Sequence, residues 1–148
     1  MSIPASEEVR DAIRRDDLQV LRQALDASPL AKALGISFTD LQPGRASATL
    51  QAIALLPNFL GYAHTGAIFA LAEQVMAAAA NSLGHVGLPL SCEIHFLKGA
   101  APDAPLSAEA RVVDTQGRIA RVLVEVSQGG AQVVRLTEMV FLRSASKP

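Results

Sequence analysis

Residues 64–81 read HTGAIFALAEQVMAAAAN, a stretch that is apolar in nearly every direction and carries a single charge, Glu73. Helical spacing predicts one long helix here, from about His64 to about Asn81. A helix lying on the surface of a domain needs only one apolar stripe, whereas one that is apolar almost all round must be covered on most sides. Alanines at 67, 70, 72, 77, 78, 79 and 80 would let the covering layer approach closely. The rest of the chain therefore has to wrap this segment, and a carboxylate in its middle needs a reason to be there.

The material available for wrapping is mostly strand. Residues 5–27 are polar and helix-prone, with Val9, Ile13, Leu18, Leu21 and Leu25 only roughly at helical spacing, which suits two short helices or one bent one. Ser28-Pro29 marks a new start, with serine at the cap and proline at the first helical position, and PLAKALG should end at Gly35. ISFTDL and RASATLQAI flank Gln42-Pro43-Gly44, the signature of a hairpin. Residues 54–63 form a loop before the long helix, and SLGHVGLP should close that helix as a second loop that includes His85. SCEIHFL, LSAEARVV, RIARVLVEV and AQVVRLTEMVFLR then read as strands, joined by the loop at 99–105 and the turns DTQG and SQGG. Short turns between them argue for an antiparallel meander. Five or six strands can cover one helix only by curling around it. The expectation is an α+β domain at residues 28–143, preceded by a helical extension at 1–27 and followed by a frayed tail at 144–148.

Composition narrows the function. The length, 148 residues, suits one domain with a real core, and half the residues are hydrophobic. A net charge of −1, with no basic cluster longer than Arg14-Arg15, argues against a nucleic-acid partner. Cys92 is the only cysteine, so an intrachain disulfide and a cysteine-based zinc site are excluded. No apolar run long enough to span a membrane escapes a charge, and the N-terminus lacks a signal-peptide core, so a cytoplasmic location is expected.

The spacing Asn58-x-x-Gly61-x-x-His64-x-Gly66-Ala67-x-Phe69-x-Leu71-Ala72-Glu73, followed by FLKGA at 96–100, resembles the hotdog-fold acyl-CoA thioesterases of the PaaI type. The resemblance covers about residues 28–143. It implies the hotdog fold, one long central helix wrapped by a curved antiparallel sheet. It also implies hydrolysis of acyl-CoA thioesters to acid and thiol without metal or redox cofactor, in a homodimer or dimer of dimers with sites between subunits. Two positions depart from the family pattern: His64-Thr65-Gly66 stands where His-Gly-Gly is common, and Glu73 where aspartate is frequent.

The residues support this chemistry on physical grounds. Backbone N–H groups in the first turn of a helix have no intrahelical acceptor and favour negative charge, so those of Thr65 or Gly66 suit an oxyanion. Asn58 offers an amide to a carbonyl or a water, and His64 either positions the loop or a water, or simply caps the helix. Glu73 is the reactive carboxylate, as general base or as nucleophile. Gly66 and Glu73 are seven residues apart, about 10 Å along a helix axis, too far to act on one carbonyl. The resemblance implies that the acid of one subunit works with the oxyanion donors of its partner, so a monomer should be inactive. The resemblance also points to Ser91 for substrate contact, since some family members use a serine or threonine early on the strand after the helix. Lys98, Arg118, Arg121 and Arg135 are candidates for contacts to the phosphates of coenzyme A. Glu93 and His95 should face outward, and Cys92 should be an inert buried thiol. Two other functions fit a hotdog domain: non-catalytic binding of acyl-CoA or an acyl carrier, and a dehydratase or hydratase acting on acyl thioesters. The second lacks support because the Pro-Gly helix entry of the dehydratases is missing.

Overall fold

The computed structural model describes residues 6–53 and 56–144. The amino-terminal extension forms two helices, α1 (Ser6–Arg14) and α2 (Leu18–Asp26). Asp17 caps α2 by accepting from the Val20 N–H at 3.1 Å. Ile13 and Leu21 make a small apolar cluster with Val9, Leu18, Leu25, Leu41 and Val86, which fastens the pair to the sheet. α3 (Pro29–Leu34) starts at the Ser28 cap and ends at Gly35, whose φ of 68° is left-handed, as the sequence anticipated.

Six strands follow in one antiparallel sheet: β1 (Ile36–Gln42), β2 (Arg45–Leu50), β3 (His85–Phe96), β4 (Leu106–Gln116), β5 (Ile119–Gln128) and β6 (Ala131–Ser144). Their order is β1-β2-β4-β5-β6-β3. The long helix, α4 (Thr65–Asn81), interrupts the chain between β2 and β3 and touches every strand, so the sheet does curl around it. Leu71, Val75, Met76, Ala78, Ala79 and Ala80 of α4 are buried against Leu50, Leu106, Val122, Val124, Val126 and Leu136. Strand alternation supplies those residues, since every second position faces the helix.

The end of α4 is tied to the sheet by polar contacts. The buried Ser82 hydroxyl accepts from the Gly44 N–H at 2.8 Å and donates to the Ala79 carbonyl at 2.7 Å. Asn81 accepts from the Gly87 N–H at 3.0 Å. That bond belongs to a difference from the expected loop: β3 already begins at His85 and runs straight through Gly87 and Pro89. A methyl group on Gly87 would stand 3.0 Å from both Ala80 Cβ and Val140 Cγ1, so glycine here permits close helix–sheet contact. Pro89 is tolerated because β3 is an edge strand, and the register shifts between Pro89 and Ser91. β4 and β5 extend to Gln116 and Gln128, deeper into DTQG and SQGG than expected. Of the anticipated tail, residues 145–148 lie outside the described residues. No helix among the described residues is long and apolar enough to cross a membrane.

Candidate functional site

The loop before α4 is held by Asn58. Its Oδ1 accepts from the N–H groups of Leu60 (2.9 Å) and Tyr62 (3.0 Å), and its own N–H donates to the Tyr62 carbonyl at 2.7 Å. These bonds fold 58–62 into a tight turn of the kind asparagine side chains favour. The turn presents Phe59, 95% exposed, together with Leu60 and Tyr62. It is anchored at both flanks: the Ala63 N–H donates to the Ala100 carbonyl, and the His64 N–H to the Leu56 carbonyl. The FLKGA segment therefore lies directly beside the helix entry. Lys98, Gly99 and Ala100 line an open cleft of about 440 Å³ together with Gly61, Tyr62 and Gln128.

His64 is the N-cap of α4, and its Nδ1 accepts from the Gly66 N–H at 2.9 Å. The ring's proton thus resides on Nε2, as the acceptor role of Nδ1 requires. A methyl group on Gly66 would meet that Nδ1 at 3.0 Å, so glycine is what lets the imidazole fold back over the helix end. Of the two N–H groups expected to hold an oxyanion, that of Gly66 is already engaged. The Thr65 N–H has no hydrogen bond among the described residues.

Farther along α4, Glu73 is half-buried. Burial pushes its carboxyl above the ordinary value, and a hydrogen bond with the Gln74 side chain partly offsets this. A second carboxylate accompanies it. Glu138, on β6, is only 3% exposed, and its Oε2 has no hydrogen-bond partner. Burial, then the charge of Glu73, raises the Glu138 carboxyl from 4.5 to about 7. Neither glutamate forms an ion pair among the described residues. The sequence reading passed over Glu138, although the signal was available: it shares strand parity with Val134, Leu136, Val140 and Leu142, all buried.

The remaining candidates scatter. Ser91 is registered opposite Met139, and Cys92 opposite Glu138. Residues directly opposite on antiparallel strands share a face, so Cys92 is on the side of Glu138 and Ser91 is on the other. Cys92 is exposed rather than buried, because β3 is the sheet edge and this chain places nothing over that part of it. Its thiol is nevertheless pushed up, by burial and by the Glu138 charge, and so is a poor nucleophile. Glu93 and His95 are exposed and pair with each other at 2.8 Å. His85 is exposed too, though on a strand and not in a loop. Arg118 stacks over Phe141, its ring centroid 5.7 Å away, and its carbonyl accepts from the Leu142 N–H. Lys98 borders Val133 at the opposite end of β6, about 30 Å from there at the rise of a strand. One chain therefore does not bring Lys98 and Arg118 together. Arg121 pairs with Asp114, and Arg135 is registered opposite Glu125 and His95.

Three groups result. Asn58, His64, Thr65, Gly66 and Lys98 gather at the entry to α4; Glu73, Glu138 and Cys92 lie at its middle; Arg118 stands apart. Thr65 and Glu73 are eight residues apart, about 12 Å along one helix.

Residues 60–135 match the family model described as Thioesterase superfamily. The acyl-coenzyme A thioesterase PaaI of Escherichia coli (strain K12) is 35% identical over 82 residues, which are 55% of this chain and 59% of that protein. The chain thus spans less than two thirds of the length of the curated relatives it matches. Among solved structures, a mutant of the phenylacetic acid degradation protein PaaI from Thermus thermophilus superposes with a TM-score of 0.74 at 32% identity, covering 78% of this chain and 99% of that one. A thioesterase protein from Streptococcus pneumoniae TIGR4, solved with coenzyme A, gives a TM-score of 0.69 at 25% identity, covering 74% and 91% of the two chains. A long helix wrapped by one curved antiparallel sheet is the hotdog fold, which this chain shares with its PaaI neighbours, and the chain belongs to the thioesterase superfamily.

Proposed function

We propose that this protein hydrolyses acyl-CoA thioesters, with Glu73 as general base. The observation that carries the reading is a half-buried glutamate without a cationic partner among the described residues, on the central helix of a thioesterase-superfamily fold. A carboxylate whose affinity for protons is raised by burial is better matched to taking a proton from water near neutral pH. Water then attacks the thioester carbonyl carbon, the C–S bond breaks, and the thiolate takes up the proton as the carboxylic acid departs. This chemistry calls for no metal or redox cofactor. The coenzyme A seen with the streptococcal relative agrees with a CoA thioester as the substrate.

The oxyanion donor in this scheme is the Thr65 N–H at the start of α4, aided by the helix dipole. Because about 12 Å separates it from Glu73 of the same chain, the site forms between two protomers. The free edge of β3 supports such an assembly. It is twelve residues long and carries the exposed Leu88, Leu90 and Phe96, a profile that soluble chains normally cover. Phe59, Leu60 and Tyr62 extend the apolar surface beside the helix entry. His64 and Asn58 act here by building the loop and cap that hold Thr65 in place.

The test is free-thiol release from short, medium, long and aromatic acyl-CoAs. Turnover with at least one of them is expected. Acyl-CoA retained without thiol release would instead identify a binding domain.

A further inference from the structure

Glu138 has no part in the hydrolysis described so far. It is nevertheless the one charged residue among the described residues that is almost wholly enclosed, and one of its oxygens is unpartnered. An isolated buried carboxylate is expensive, and a neutral carboxyl is much less so. The groups facing it can be named element by element: Glu73 from α4, the Cys92 thiol from β3, and the apolar Val122 from β5. None of these is a cation. Two carboxyl groups in contact with each other's field and without a counter-charge do not both ionise readily, and the pair as a unit retains a proton.

We propose that Glu138 acts through Glu73, as the enclosed neutral carboxyl that holds the pair's proton and so leaves Glu73 ionised. This rests on the reading of Glu73 as the reacting base. The consequence is an upper limit to activity. When Glu138 also ionises, a second negative charge is buried within the field of Glu73 and repels the negative charge that builds on the substrate. The transition for Glu138 lies at about 7. Hydrolysis should therefore decline on the alkaline side of neutrality, as a property of the pair.

Two readouts test this on the full chain. The first needs no turnover: infrared spectroscopy of the protonated-carboxyl C=O stretch across the pH range. The wild type should show a carboxyl deprotonating near neutrality, Glu138→Gln should lose that transition, and Glu73→Gln should move it down by about half a unit or more. Cys92→Ser should leave it in place. A wild type with no carboxyl titrating near neutrality, or a transition that survives Glu138→Gln, would overturn the proposal. The second readout is the pH profile of kcat/KM for a turned-over acyl-CoA. The alkaline decline of the wild type should disappear in Glu138→Gln, with activity below neutrality within about threefold of wild type, since glutamine preserves size and neutrality. A decline unchanged in that variant would overturn it. If no acyl-CoA is hydrolysed, the hydrolase reading fails by itself and the infrared titration still decides the fate of Glu138. If Glu138→Gln does not fold, the Glu73→Gln shift decides it.

Discussion

The entry of α4 and its middle treat polar groups in opposite ways. At the entry, Asn58 and His64 commit their acceptors to nearby backbone N–H groups, and the loop closes on itself. At the middle, two glutamates lie within each other's field with no ion pair among the described residues, and one oxygen is left with no partner. Folding would be better served by an apolar residue at Glu138, since buried polar groups are normally satisfied. Under the proposed hydrolysis, the contrast separates scaffold from reactive group: the entry serves stability and the placement of one free N–H, and the middle accepts a loss of stability to keep a basic carboxylate.

Keeping the two regions of different protomers apart should have the largest effect. Leu90→Lys puts a charge on the exposed edge of β3 and should yield a folded monomer whose thiol release falls by about a hundredfold or more. Analytical ultracentrifugation alongside the assay checks both halves of that statement. An active monomer would place the whole site in one chain.

Next in size is Thr65→Pro. Thr65 is the first residue of α4, where proline is well tolerated, and His64 precedes it at φ −63° and ψ 127°, a conformation compatible with a following proline. The substitution deletes one N–H together with an exposed hydroxyl, for which Thr65→Ala is the control. A fall in kcat of about a hundredfold with an unchanged melting temperature is expected. Unaltered kcat would remove the Thr65 N–H from the oxyanion site.

Smaller still is the effect of Glu138 on stability. Its carboxyl is raised from 4.5 in the unfolded chain to about 7 in the fold, so the folded state binds the proton more tightly. The stability this provides is fully present below 4.5 and is lost as pH rises through about 7. Glu138→Gln should therefore match the wild type in acid and exceed it at about pH 8 by roughly 1–3 kcal/mol, allowing for solvent screening. Urea titrations at the two pH values measure the difference. The least effect belongs to the entry loop: Asn58→Ala should cost about 1 kcal/mol, and Asn58→Asp, which keeps the acceptor oxygen, should recover most of it.

Much of this was legible in the sequence. The unbroken apolar character of 64–81 and the twofold alternation of the strands dictated a wrapped helix, because each pattern admits few ways to exclude water. Glu73 stood out because, apart from Gln74, the residues around it are apolar and none is charged. Glu138 did not, since Arg135, Thr137 and Met139 surround it and only parity with Leu136 and Val140 reveals which way it faces. The start of β3 was hidden by Gly87 and Pro89, which read as loop residues but are allowed by close packing and by an edge position. Cys92 has the parity of a core residue yet is exposed in this chain, because the cover over an edge strand is not encoded in local pattern. The same holds for the separation of Lys98 from Arg118, which depends on strand length and order.

In the proposed site, Glu73 of one protomer acts with the helix entry of another. Glu73→Gln and Thr65→Pro should each abolish most thiol release, and co-refolding the two variants tests the claim most directly. In a twofold dimer with shared sites, about half of the mixed population pairs unlike chains and regains one intact site of two, so about a quarter of wild-type activity should return. No recovery, from mixtures shown to contain heterodimers, would contradict a site built across the interface.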